Sequence, residues 1–374
     1  PVFLSPKALT MLPSEFGDEC VHLVQHFFQT VLDHIRSGRN WQAEALLREL
    51  REPNETRLGL SIGKAQGHAL GSGSAHNVWE SLSQSEAVKS GLLEDLEDTV
   101  LMIEGVSIDI VSDMTTNIIR GPLIRYTQRM CAQYGIPVSP GVDSGPLWNS
   151  KEARWDSEFV ELPIAGSGRL IFVPKVLVRT SLQYDAGEYY RHFLLTHMQQ
   201  AELAANTELV EIIRSGKGKR ARTRKRVTKK ALVGKYGAGK KAIVNETRKH
   251  PAALVAYKAV KRDEKHLPLT LEDMSSLEGE PDTDWDALLH AVRSVPAGQA
   301  DAGRYEKAVE GILSALFYPN LTNPNVQHEI HNGRKRIDIT YTNMALNGFF
   351  KWLAAHYPSA HVFVECKNYG REVG

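Results

Sequence analysis

The chain has 374 residues, too many for one small core, and its 42% hydrophobic and 24% charged residues exclude a wholly disordered polymer. No run approaches the roughly 18 apolar residues of a membrane span, the first residues lack a signal-peptide pattern, and three scattered cysteines build no disulfide framework. A cytoplasmic protein without a membrane partner is the expectation.

Val21, Val24, Phe28, Val31, Leu32 and Ile35 recur at three- and four-residue spacing, which predicts a helix from Glu15 to about Arg36. A second, short helix follows around Trp41 to Leu50. From Pro53 to Asn77 the text turns to Gly, Ser, Asn and His, a loop composition. Helix resumes near Met114 with Ser112 and Asp113 as caps. Gly121-Pro122 is placed to kink it, and Gly135 and Pro137 close it. "SEFVELPIAGSGRLIFVPKVLVR" reads as a β-hairpin turning at "AGSG".

From Glu188 to Lys261 the pattern is mostly helical, interrupted by a basic segment over residues 214–241 in which every charged residue is Lys or Arg. Charges this dense repel one another and gain most when phosphates replace their counterions. Lys219, Arg220, Arg222, Arg224, Lys225, Arg226, Lys229 and Lys230 are therefore candidate nucleic-acid-binding residues, with DNA first and RNA as the alternative. "GKYGAGKK" imitates a phosphate-binding loop, but Lys241 stands where a hydroxyl should be and the preceding residues are too charged for a buried strand. No ATP site is expected there.

Residues 1–261 read as one helix-rich, mixed α+β domain, and residues 262–300 as an acidic linker with one interrupting helix near Trp285 to Val292. In residues 301–374 the order is helix (Gly303 to about Tyr318), strand ("VQHEIH"), an Asn332-Gly333 turn, strand ("RKRIDITYT"), helix (about Met344 to His356) and strand ("HVFVECK"). Alternation puts Ile337, Ile339 and Tyr341 on one face of their strand and Arg336, Asp338 and Thr340 on the other. In the last strand Val362, Val364 and Cys366 share a face, with Phe363, Glu365 and Lys367 opposite. If the apolar sets meet in one core, Asp338, Glu365 and Lys367 emerge together.

Two facing carboxylates favour a hard divalent cation with oxygen ligands, Mg²⁺ first and Mn²⁺ as its substitute, and the carbonyl of Cys366 is a further possible ligand. Glu306, on the leading helix, can reach the same place, although Glu310 lies one turn later. His328 and His331, flanking a strand, read as solvent-facing rather than as metal ligands.

Asp338 followed by Glu365-Cys366-Lys367, with Tyr305-Glu306 upstream, resembles the PD-(D/E)xK nuclease superfamily, the restriction-endonuclease-like fold. "VECKNYG" is similar to Mrr-type and related restriction and defence nucleases. The resemblance covers residues 302–374 and implies an α/β core in which Asp338, Glu365 and Glu306 bind the metal and Lys367 serves hydrolysis. It implies a Mg²⁺-dependent DNA endonuclease of restriction or anti-phage type, acting as a homodimer or with a defence-system partner subunit. Ile337 stands where the family often has Pro. That core continues with a helix and a fourth strand after the Lys, so it is incomplete here and further residues are expected beyond Gly374. Two other readings stay open: a nucleic-acid-binding or assembly subunit with an inactive nuclease fold, and a nuclease acting on RNA or branched DNA.

Overall fold

Ser14 opens the first long helix, its side chain accepting the Gly17 N–H at 3.2 Å, and the helix runs Glu15–Arg36. In the computed structural model, which describes residues 2–58, 72–166, 168–181, 183–215, 222–264, 267–279, 281–330 and 335–370, the predicted apolar stripe of this helix faces the main core. Phe27, Val31 and Leu32 are almost wholly enclosed there. The short helix follows at Asn40–Arg48. The expected loop over 53–77 is interrupted: a 3₁₀ turn spans Asn54–Thr56 and a helix begins at Ser72, while residues 59–71 lie outside the described set.

The next helix starts earlier than its sequence pattern suggested. It spans Ile108–Ile118 with Ser107 as its cap, while Ser112 is buried inside it and accepts the Leu4 N–H at 2.9 Å. A second helix, Arg120–Tyr134, follows after a break at Ile119. The break falls just before the predicted kink because Pro122, without an N–H, cannot close a bond to the Ile118 carbonyl. Gly135, at φ +67°, ends that helix as expected.

The long hairpin predicted over 157–179 is corrected. Only Ile164–Ala165 and Gly168–Arg169 pair around the expected turn. Phe159–Leu162 pairs instead with the distant Ser139–Asp143, and Val178–Arg179 with Phe3–Leu4. Pro174, which has no N–H for a ladder, precedes a 3₁₀ turn at Lys175–Leu177. Between these strands Leu147–Asn149 and Arg154–Asp156 form a small ladder. It places Trp148 and Trp155 side by side against Phe27, with ring centroids 4.9 and 5.3 Å from that phenyl ring.

The basic segment, which interrupts the helical pattern, contributes to a two-stranded ribbon. Glu211–Ser215 runs antiparallel to Arg222–Arg226, followed by helices Lys229–Tyr236, Lys240–Lys249 and Pro251–Asp263. The phosphate-loop imitation joins two of these helices, and Lys240 Nζ donates to the carbonyls of Ile103 and Val106 at 2.7 and 2.8 Å. Its work is to satisfy the end of a neighbouring turn. The acidic stretch holds two helices rather than one, Leu271–Glu278 and Trp285–Arg293. The second leans on the helix Ala302–Phe317, where Leu288 approaches Gly311.

The carboxy-terminal elements follow the predicted order. Strands Leu321–Ile330, Lys335–Asn343 and His361–Val364 form one antiparallel sheet, with the helix Gly348–His356 between the last two. The Asn332-Gly333 turn and His331 lie outside the described residues. Ile339 and Tyr341 are fully buried and meet Val362, Val364, Cys366, Val309 and Leu313, the shared apolar core that alternation called for. Overall the chain mixes many helices with small antiparallel sheets.

One buried group gives this fold a pH dependence. Burial pushes the Glu97 carboxyl from an ordinary 4.5 to about 7, although it accepts the Lys7 N–H at 3.2 Å. An acid that holds its proton more tightly when folded stabilises the fold fully below 4.5, and that stabilisation is lost as pH rises through 7. Glu97→Gln is thus expected to add up to about 3 kcal/mol at pH 8 and little at pH 4.5. Urea titrations at the two pH values test it; a variant less stable at pH 8 would show a carboxylate that the fold needs charged.

Candidate functional site

The ladder between the last two strands pairs Ile339 with Val364, Thr340 with Phe363 and Tyr341 with Val362. One further step in that register sets Asp338 across from Glu365, just beyond the last strand residue. The Cys366 N–H donates to Asp338 Oδ2 at 2.6 Å, which fixes the carboxylate against the Glu-Cys-Lys backbone. Cys366 thus meets Asp338 through its N–H. Lys367 Nζ donates to Glu365 Oε2 at 2.9 Å, with both side chains about half exposed.

Glu306 projects to this end of the sheet from the first turns of the helix Ala302–Phe317. Its carboxylate accepts a hydrogen bond from Gln327 Nε2. Burial, then the charges of Asp338 and Glu365, hold its carboxyl above the ordinary carboxylate range, against the pull of Gln327 and Arg336. The Cys366 thiol is pushed up to about 11, by burial first and then by Asp338, Glu306 and Glu365. The Glu365 carboxylate holds Lys367 above its usual range, so the ammonium stays protonated at neutral pH.

All four residues expected from the sequence therefore gather at one end of the sheet. Glu310, the competing helix acid, does not join them. It is buried, accepts from Tyr134 Oη at 3.0 Å and Ser314 Oγ at 2.6 Å, and belongs to the helix–sheet packing. His328, expected to face solvent, is half-buried beside Thr340. Each cluster carboxylate has a protein donor in this arrangement, and among the described residues no three His, Cys, Asp or Glu side chains stand around one metal position.

Residues 1–185 match the family model described as a domain of unknown function (DUF8370). No curated protein and no solved structure matches the chain. The DUF8370 segment ends well before Glu306, so the cluster lies outside it.

Sequence reasoning missed two residues that shape the cluster. Gln327 faces Asp338 across the other side of the ladder, at φ +60° in a strand distorted by a register shift, and no local signal marks it. Asn368 ties the segment after Lys367 back to the residues before the Glu306 helix. Its side chain donates to the carbonyls of Pro296 and Gly298 at 2.9 and 3.0 Å, and its own carbonyl accepts the Gly298 N–H at 2.9 Å.

Of the basic candidates, Lys219 and Arg220 lie outside the described residues, and for Arg222 only the backbone is described. In the ribbon the backbone of Arg222 pairs with Ser215, while Arg224 and Arg226 alternate onto one face opposite Ile213 and Glu211. Arg226 pairs with Glu211 at 3.0 Å, Lys225 with the Asn206 side chain, and Lys229 with the Arg191 carbonyl. Arg224 and Lys230 are exposed to solvent.

Proposed function

We propose that this chain is a divalent-metal-dependent nuclease, with DNA as the first substrate class. The observation that carries the reading is the meeting of Glu306, Asp338, Glu365 and Lys367 at one end of an antiparallel sheet. Three carboxylates that share one end of the sheet offer oxygen ligands only, and their mutual repulsion is what a hard cation relieves. Asp338, held by the Cys366 N–H, would hold Mg²⁺ together with Glu365 and Glu306 once those two turn from their present donors. The ion would acidify a bound water and offset charge on the phosphoryl oxygens.

Lys367 stays cationic beside Glu365, within reach of an incoming phosphodiester, where it orients the phosphate and neutralises developing charge. The Cys366 N–H fixes Asp338, so this carboxylate does not have to be ordered when substrate arrives. Among the described residues no helix is long and apolar enough to cross a membrane.

A panel of duplex DNA, single-stranded DNA and RNA, each with Mg²⁺ and with EDTA, tests the proposal. Cleavage that EDTA abolishes is expected with duplex DNA. Engagement of every carboxylate by a protein donor favours a second reading, a nucleic-acid-binding subunit with an inactive nuclease fold, which predicts binding and no cleavage with any divalent metal. Preferential cleavage of RNA or branched DNA would change the substrate and keep the enzyme.

The basic ribbon has its own expected result. Two-stranded ribbons fit the major groove, and each phosphate contact adds about 0.9 to the salt slope of binding. Arg224→Ala, in the ribbon, with Lys230→Ala, in the helix that follows it, is expected to lower that slope by about 2. An unchanged slope in a filter-binding salt titration would exclude both side chains from the contact.

A further inference from the structure

The helix Gly348–His356 carries aromatic rings on both of its faces. On the inner one Phe350 packs edge-on against Phe317 with ring centroids 5.1 Å apart, and the Phe350 carbonyl accepts from Asn343 Nδ2 at 3.0 Å, which ties the helix to the sheet. The outer face is left to solvent: Phe349 is 64% exposed, Trp352 48%, and Tyr357, just past the helix end, 57%. These rings are ordered among themselves. Phe349 and Trp352 stack at 6.0 Å and 26°, and His356 lies 4.8 Å from Trp352 at 30°. The His356 Nδ1–H donates to the Trp352 carbonyl at 2.8 Å, and Tyr357 stands edge-on to Trp352 and closes one side. Side chains three and four residues apart thus set three near-parallel rings in series along one helix face.

Charge and area decide what such a ladder takes. No residue between Asp338 and Glu365 is acidic, and Lys351, on the same helix, is exposed and forms no ion pair among the described residues. Phe349, Trp352 and Tyr357 together expose roughly 250–400 Å², at most about half of the 800 Å² that each partner gives to a stable protein interface. A helix that lies on a membrane is rich in basic residues, and this one has a single lysine. Flat rings in series, with a cation and no acid, suit the bases of a single nucleic-acid strand. A duplex keeps those base faces inside its own stack. From Tyr357 the chain passes to His361, the first residue of an edge strand of the described sheet, and Glu365 lies about 13 Å further along it. His361 and Phe363 are exposed on the Glu365 side of that strand, so an open edge joins the ladder to the carboxylate cluster.

We propose that this aromatic face binds single-stranded nucleic acid, with bases stacked on Phe349 and Trp352 and a phosphate on Lys351. Binding there needs no metal and stands whether or not the cluster cleaves. Beside a duplex the face would take nucleotides left unpaired at an end or a gap. Fluorescence anisotropy on the whole chain, in EDTA, with a short labelled thymidine oligonucleotide and a blunt-ended duplex tests it.

Trp352→Leu keeps apolar bulk and removes the π-face, and should weaken binding of the single strand about tenfold, the size of one lost stacked base. The salt slope should stay unchanged, because stacking releases no counterion. Trp352→Phe should bind within about threefold of the unsubstituted chain, and neither change should alter binding of the duplex. Phe349→Ser, at the more exposed ring, gives the same readout should Trp352→Leu lose its fold, and Trp41→Leu, 72% exposed on the helix Asn40–Arg48, should bind normally. No binding of the single strand, unaltered affinity in a folded Trp352→Leu or Phe349→Ser, or an equal loss with the duplex would overturn the proposal.

Discussion

Lys367→Ala and Asp338→Asn are each expected to lower metal-dependent phosphodiester cleavage by about 10²–10³-fold or more, with thermal midpoints close to that of the unsubstituted chain. The two effects have different origins. Asn at 338 can still accept the Cys366 N–H, so it keeps the local hydrogen bond and removes only the charge. Lys367 is half exposed and bonded to Glu365, so trimming it costs no core packing and removes the cation paired with that carboxylate. Glu310→Gln serves as the contrast, because that acid is bound to Tyr134 and Ser314 rather than facing the cluster. Single-turnover assays on purified variants, with EDTA blanks, measure all three. Full activity in both Lys367→Ala and Asp338→Asn would remove the catalytic assignment.

Lys258→Met should destabilise the amino-terminal half by about 3–5 kcal/mol, a large share of a typical domain's total. Asp98 is completely buried, and Lys258 Nζ lies 2.9 Å from its Oδ2. Burial alone would lower the Lys258 pKa, and the Asp98 carboxylate outweighs it and holds the ammonium above its ordinary range. Two backbone donors, the N–H groups of Glu94 and Asp95, also point at Asp98 Oδ2, each at 3.0 Å. Without Lys258 the carboxylate keeps these bonds but loses its countercharge, and an uncompensated buried charge is far costlier than an absent pair. The double variant Asp98→Asn with Lys258→Met should recover much of the loss. A loss below about 1 kcal/mol in urea denaturation of Lys258→Met would mean that water already reaches the pair.

Much of the carboxy-terminal arrangement was legible because its signals are local. Ile337-Asp338-Ile339 states its two faces by strict alternation, and the same rule applied to Val362 through Lys367 sets Glu365 beside Asp338. Helix periodicity identified the leading helix but could not choose between Glu306 and Glu310, one turn apart. The choice depends on which turn Tyr341 reaches: its hydroxyl bonds the Glu310 carbonyl at 3.1 Å and Ser314 Oγ at 3.0 Å. Ser112 misled because a serine before an apolar run looks like a cap, whereas here it accepts from Leu4 across the fold.

The strand partners of Phe159–Leu162 and the meeting of Glu55, Arg120 and Arg169 were invisible for a common reason. Their residues lie far apart in sequence, and nothing in the intervening text records that the chain returns to the same place. The basic segment shows a different limit. Repulsion among its charges argued for phosphate contacts and carried no signal of strand, yet residues 222–226 pair with Glu211, Ile212 and Ile213 as part of a ribbon.

Asn368 sits one residue beyond Lys367 and holds the chain just after the Trp285–Arg293 helix. That clasp makes the cluster a closed circuit, in which the backbone bearing Glu365 and Lys367 and the helix bearing Glu306 share one anchor. A partner that pulled on the acidic helices would slide Pro296 and Gly298 and carry Lys367 with them. The distance between cation and carboxylates is therefore set partly by a segment outside the cluster, which gives a remote contact mechanical leverage over the proposed reaction.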